Sequence, residues 1–322
     1  MRWGILGAAK FAREHMGPAI HMARGAELVA VASRSSGKVA PFQELAPGCR
    51  AVEGYGALLA DADIDAVYIP LPNHLHVEWA LKALDAGKHV LVEKPAALHA
   101  SEFEQLIAAR EKSGRVAAEA YMIVHHPQWQ RARHLVRDGA IGALTHISGA
   151  FSFDNSGDPG NIRNTAGMGG GALRDIGVYV IGSARFVTGE EMEVTGARLK
   201  MEQDFDTFAE ITARFPSGVT YSAYVSTRLH NTQSMDFHGT KGLLRLTAPF
   251  NPNIHDIARI ELHQPGQGLR VERFPSANHY VNQVEAFGAA AKTGGDYSPS
   301  LAFSRGTQEV IDRVLEIGDV LA

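Results

Sequence analysis

Over residues 1–122, short apolar runs alternate with stretches of helical apolar spacing. Runs at 2–6, 27–32, 65–69 and 88–92, a weak one at 50–52 and a sixth at 116–122 read as strands buried on both faces of a sheet. Helical spacing at 11–22, 39–45, 76–86 and 101–112 fills the gaps, with Gly87 and Gly114 as stop signals. This alternation predicts an α/β domain with a doubly wound parallel sheet.

The rhythm changes after Met122. One helical stretch at 128–137 precedes alternating, strand-like segments at 144–153, 193–201, 207–215, 219–227, 234–238, 243–247, 258–263 and 269–274. Turn signals such as Pro216-Ser217-Gly218 and Gly239-Thr240-Lys241-Gly242 separate them. Strands that follow one another without crossing helices imply a large, predominantly antiparallel sheet. Helical spacing at 171–187, 280–291 and 301–317 makes the predicted second domain, 123–322, α+β. No internal repeat or low-complexity tract interrupts either region.

Composition narrows the class of function. The 322 residues carry a net charge of −4 and no basic run, which argues against nucleic acid as a partner. A single cysteine, Cys49, excludes a disulfide framework and a cysteine zinc cluster and makes the cytoplasm the default location. The apolar opening at 3–9 is interrupted by Lys10 and Arg13, and no apolar stretch approaches the roughly 18 residues of a membrane span, so no membrane partner is expected.

Between the first strand and the first helix lies Gly7-Ala8-Ala9-Lys10-Phe11-Ala12. Such a loop gathers main-chain N–H groups and the positive end of a helix where a dinucleotide pyrophosphate sits. Ala9 and Ala12 occupy the places usual for the second and third glycines, so on these residues alone a plain strand-helix turn remains the alternative. At the end of the second strand, where an NAD site usually carries an acid, the chain has Ser33-Arg34-Ser35-Ser36-Gly37-Lys38. Arg34 suits a 2′-phosphate and the adenine face, with Ser33 as hydrogen-bond donor and Lys38 as added charge. This favours NADP(H), with NAD(H) as the alternative cofactor and solvated loop charges as the bland reading. The fourth strand ends in Pro70-Leu71-Pro72-Asn73-His74-Leu75-His76, at the sheet edge where ligands bind. Pro70, Leu71, Pro72, Asn73 and His76 are therefore candidate cofactor contacts, with Asn73 also read as a helix cap. His74 and His76 lack a neighbouring carboxylate or cysteine, and no metal is expected.

The fifth strand runs into Glu93-Lys94-Pro95. Further along stand Glu119-Ala120-Tyr121-Met122 with His126-Pro127, and Gly169-Gly170-Gly171-Ala172-Leu173 leading into Asp175-Ile176-Gly177-Val178-Tyr179. With these motifs the chain resembles the glucose-fructose oxidoreductase / inositol dehydrogenase family, Gfo/Idh/MocA, over nearly its whole length. The resemblance implies an N-terminal Rossmann domain, cofactor contact at Glu93 and Lys94, and a catalytic set of Lys94, Asp175 and Tyr179. Tyrosine where inositol dehydrogenase-like members carry histidine is similar to the branch containing dimeric dihydrodiol dehydrogenase, in which NADP(H) is common. Tyr121 and Arg163 are weaker candidates for substrate or cofactor contact, with structural roles as the alternative. An arginine that often precedes the His-Pro pair is replaced by Ile123-Val124-His125, so no role tied to it is assigned. A homo-oligomer, dimer or tetramer, is also implied.

The chemistry is coherent on its own terms. Hydride leaves a carbinol carbon only as its hydroxyl proton is removed, which requires a base within hydrogen-bond reach. A phenol of pKa ~10 needs about 4 kcal/mol of help to ionise at neutral pH. An ammonium at ~4 Å supplies that order at an effective dielectric of about 20. Lys94 thus suits an activator of Tyr179, and Asp175, four residues earlier on a helix, suits orientation of a second hydroxyl. The expected function is an NADP-dependent oxidoreductase of a sugar, polyol or related small molecule. The alternatives are a non-catalytic dinucleotide-sensing regulator or a dihydrodiol or imine oxidoreductase.

Overall fold

A computed structural model describes residues 1–321, with only the backbone of Ser36. The chain divides into two units, residues 1–125 with 278–305, and residues 126–277 with 306 onward.

The first unit contains a six-stranded sheet: β1 (Arg2–Leu6), β2 (Glu27–Ala32), β3 (Arg50–Val52), β4 (Ala66–Ile69), β5 (His89–Val92) and β6 (Ala117–Glu119). Its order is β3-β2-β1-β4-β5-β6, and every pairing is parallel. Burial on both faces explains the unbroken apolar runs, as in β4, where all four residues are buried. Chain direction across the sheet reverses between β1 and β4, so their carboxyl ends flank the crevice at which such sheets bind ligands.

The helix expected at 11–22 is divided into a π turn, Ala12–Met16, and an α-helix, Gly17–Met22. Pro18 has no N–H to continue the ladder, and the turn before it widens. A helix at Tyr55–Ala60, absent from the expected pattern, follows β3.

The expected boundary after Met122 lies close to the division between units, but 278–305 groups with the first unit rather than the second. The reason is packing: Phe287 of the helix His279–Thr293 is fully buried against Trp3 of β1, with ring centroids 5.2 Å apart. Amphipathic spacing predicts that helix and leaves open which core receives it.

The second unit contains β7 (Leu144–Asp154), β8 (Glu193–Glu202), β9 (Phe205–Arg214), β10 (Thr220–Ser226), β11 (Arg228–Gly239), β12 (Gly242–Leu246), β13 (Arg259–Gln264), β14 (Gly268–Arg273) and β15 (Asp319–Val320). They form a nine-stranded sheet of order β14-β13-β12-β11-β7-β10-β9-β8-β15. It is antiparallel except at β7–β10 and β8–β15. In β9, buried Ala209, Ile211 and Ala213 alternate with exposed Glu210, Thr212 and Arg214, the signature of a sheet covered on one face. The covering helix Val178–Thr188 is buried from Val178 through Val187 and lies over β7, Val180 facing Gly149. It is preceded by a second π turn, Leu173–Gly177.

Candidate active site

In the first unit, β1 ends at Gly7, whose φ of +106° suits glycine and whose N–H donates to the Ala32 carbonyl at 3.0 Å. A side chain at position 7 would come within 3.0 Å of Leu71, so loop 7–11 and the turn after β4 approach closely because of that glycine. Ala8 and Ala9 are partly exposed and Lys10 is exposed beyond them. The Phe11 ring packs edge-on to Tyr280, with centroids 5.7 Å apart. At the end of β2, Ser33 accepts from the Ser35 N–H at 3.2 Å, while Arg34 and Lys38 are exposed. Among the described residues neither of those cations is in an ion pair. The site therefore fits a dinucleotide: a glycine-permitted strand-helix turn, unpaired cations and no acid at the end of β2.

One expectation about the turn after β4 needs correction. Asn73 does not cap the following helix: it opens a 3₁₀ turn, Asn73–Leu75, whose cap position is Pro72, and the helix His76–Asp85 starts behind Leu75. His76 is a strut: fully buried, its Nε2 lies 2.7 Å from the Leu71 carbonyl and its Nδ1 2.8 Å from that of Pro95. The ring joins the turns after β4 and β5. Burial lowers its pKa to about 4, and a neutral ring donates to only one of the two carbonyls.

Lys94 follows β5, half-buried, with acids on both sides. Glu93 accepts from the Tyr68 hydroxyl at 2.5 Å and from the Lys94 N–H at 3.2 Å. Glu119, at the end of β6, accepts from the Ala96 N–H at 2.8 Å. Burial raises both carboxyls above their ordinary range, and the Lys94 charge pulls both back. Glu119 and Tyr68 thus support the Lys94 turn, a role sequence reasoning missed. The only signal was that Glu119 stands in a family motif. Tyr121, a candidate for ligand contact, is 1% exposed, its ring tilted on Phe303 at 6.1 Å.

In the second unit, Asp175 lies in the π turn and Tyr179 in the first turn of the helix after it. The Tyr179 ring is 5% exposed, 5.9 Å from Phe151 and 5.7 Å from Phe250 between centroids, which fixes its direction. Arg163 meets Asp175 directly, Nε to Oδ2 at 2.6 Å. The Arg163 carbonyl also accepts from the Gly171 N–H at 3.0 Å, so the loop 161–165 holds the turn through main chain and side chain together. Asn161 orients that loop by accepting from the Arg163 N–H at 3.1 Å. Asp175 is thereby an ion-paired, charge-assisted acceptor.

Among the described residues, no group of three or more His, Cys, Asp or Glu is arranged to hold a metal ion. No helix among them is long and apolar enough to cross a membrane.

Residues 1–121 match the model of an oxidoreductase family with an NAD-binding Rossmann fold, and residues 129–245 match the GFO/IDH/MocA C-terminal domain. The chain belongs to the Gfo/Idh/MocA oxidoreductase family. As a member it is an oxidoreductase whose first unit binds a nicotinamide dinucleotide. It is 34% identical to a dTDP-3,4-didehydro-2,6-dideoxy-alpha-D-glucose 3-reductase of Streptomyces antibioticus, over 99% of this chain and 98% of the other. It is 32% identical to D-xylose 1-dehydrogenase (NADP(+)) 2 of Haloferax volcanii, over 98% and 97%. A 3-ketoreductase of Actinomadura kijaniata, crystallised with NADP and TDP-benzene, superposes with a TM-score of 0.92 at 31% identity, covering 100% of this chain and 98% of its own. That enzyme has also been crystallised with a lysine replaced by alanine or glutamate and with a tyrosine replaced by phenylalanine.

Proposed function

We propose that this chain is an NADP(H)-dependent oxidoreductase of a sugar or sugar-derived alcohol or carbonyl, with Tyr179 as general acid/base and Lys94 as its activator. The observation that carries the assignment is the Arg163–Asp175 pair at 2.6 Å. It commits Asp175 to accepting hydrogen bonds from substrate hydroxyls and leaves Tyr179, presented from the same helical segment, to move the proton. In the reducing direction the Tyr179 hydroxyl gives its proton to the substrate oxygen as the carbonyl becomes an alcohol. The Lys94 ammonium stabilises the phenolate left behind. The nicotinamide supplies or accepts the hydride.

Arg34 supports NADP(H): an exposed guanidinium ends β2 where an acid would repel a 2′-phosphate. The named cofactors of the xylose dehydrogenase and the 3-ketoreductase support the same choice, and the names of the reductase and dehydrogenase relatives support a sugar as substrate. The lysine and tyrosine variants of the 3-ketoreductase are of the two residue types assigned here. Burial pushes the Cys49 thiol up to about 11, which keeps this lone cysteine unreactive, and we place the protein in the cytoplasm.

The test is an absorbance screen at the nicotinamide band, with NADP⁺ or NADPH and a panel of aldoses, polyols, inositols, dihydrodiols and keto sugars. Turnover of a sugar that disappears in Tyr179→Phe and in Lys94→Ala, with NADPH binding retained in both, is expected. Activity surviving in both variants contradicts the proposal.

A further inference from the structure

We infer that Asp206, brought from β9, is a positioning residue for the reaction: its carboxylate fixes the Gly171–Leu173 turn from which Asp175 and Tyr179 are presented. The inference rests on the proposed roles of those two residues.

Asp206 is 2% exposed, and its Oδ2 accepts from the Leu173 N–H at 2.7 Å. The main-chain N–H groups of Ala172 and of Asp206 itself also favour the charged carboxylate against its burial. Its Oδ1 occupies the space a side chain at position 171 would need: a Cβ there would lie 2.2 Å away. Gly171, at φ +115°, is therefore required twice, by its backbone and by the acid beside it. From the opposite side the turn is held by the Arg163 carbonyl on the Gly171 N–H at 3.0 Å, and Asp175 leaves it with its own N–H on the Gly171 carbonyl at 3.1 Å. The π turn begins at Leu173, so the clamp sits immediately before the segment that carries both reactive side chains.

The choice of an acid is informative. The charged neighbour acting on Asp206 is Arg174, and among the described residues the carboxylate forms no salt bridge. A buried carboxylate without an ion partner costs stability, and a neutral cap would satisfy one N–H without that cost. The carboxylate differs in having no N–H of its own. It accepts from the Leu173 N–H and is favoured by the neighbouring Ala172 N–H, whereas an amide of the same shape can turn an NH₂ toward them. Asp206 thus trades stability for a fixed turn.

The test compares the purified full-length parent with Asp206→Asn, and with Tyr179→Phe as the reference for lost chemistry. Hydrogen exchange of the segment 170–180, the thermal midpoint, NADPH affinity, and kcat and KM on the panel sugar that the parent turns over fastest are measured. In Asp206→Asn, exchange of the segment rises and kcat falls about tenfold, with NADPH affinity unchanged and a midpoint no lower than the parent's. Asp206→Ser, a smaller acceptor, keeps the comparison open if Asp206→Asn does not fold. Exchange equal to the parent's, kcat within about twofold, or a midpoint falling together with kcat overturns the inference. The exchange measurement is independent of chemistry, so a parent inactive on the whole panel, or a Tyr179→Phe enzyme that stays active, defeats the proposed function and leaves the clamp to be judged on exchange.

Discussion

The two units present their candidate functional groups by different means. In the first, Gly7, Arg34, Pro72 and Lys94 follow the carboxyl ends of parallel strands, so the order of the sheet places them and the local turns shape them. In the second, Asp175 and Tyr179 leave a widened helical turn that is held by two groups distant in sequence, Arg163 and Asp206. A strand-end site depends on sheet order, which the whole core enforces. A clamped turn depends on a few side chains, and single substitutions should disturb it more.

The largest effect expected of this contrast is at Tyr179. Tyr179→Phe removes only a hydroxyl, and kcat should fall by about 10²- to 10⁴-fold with NADPH affinity unchanged, read by steady-state kinetics and fluorescence titration. Next comes Arg163→Ala, which removes the guanidinium from the Asp175 carboxylate: kcat/KM should fall about 10- to 100-fold by misplacement alone. If Arg163→Ala is as active as the parent, the clamped-turn description of the second unit fails. In the first unit, Arg34→Ala should weaken NADPH about 10- to 100-fold, the loss of one charge-assisted contact, and leave NADH nearly unchanged. Equal affinity of the parent for NADPH and NADH would remove the role given to Arg34.

The smallest effect is on stability and separates the buried groups by sign. Burial lowers His76 and His125 to about 4, so the stability they contribute is present above their unfolded value near 6.5 and is lost as pH falls through about 4. His126 in the second unit behaves in the same way. Asp206, raised to about 6, works in the opposite sense: it favours the folded state below its unfolded value near 4, and that advantage disappears as pH rises through about 6. Asp206→Asn should therefore exceed the parent in urea unfolding at pH 8 by about 1–2 kcal/mol and match it near pH 4. A variant weaker than the parent at pH 8 contradicts the cost assigned to that carboxylate.

Much of the first unit was legible because its signals are local. Apolar runs mark the strands, and loop 7–11, Arg34 and Glu93-Lys94 lie where each run stops. The nine-stranded sheet was legible as alternation, but its two parallel pairings were not, since alternation carries no direction. What escaped was contact between distant positions. The spacing of His76 suggests a helix start, yet its ring ties Leu71 to Pro95. Arg163 was visible as a charge near the glycine run, and only the fold turns its guanidinium onto Asp175. Asp206 reads as an unremarkable strand residue because nothing local marks an acid that will cap a turn in a preceding helix. The late helix 279–293 was visible as a helix, and its place in the first unit follows from Phe287 meeting Trp3.

The proposed activation of Tyr179 by Lys94 is tested most directly by the pH dependence of kcat for sugar oxidation in the parent and in Lys94→Ala. The parent should show a limb that rises with pH as the phenol ionises. In Lys94→Ala that limb should move upward by about one to three pH units, toward the free phenol near ~10, with activity recovering at high pH. A limb that stays in place when the ammonium is removed, or that persists in Tyr179→Phe, would contradict the assignment.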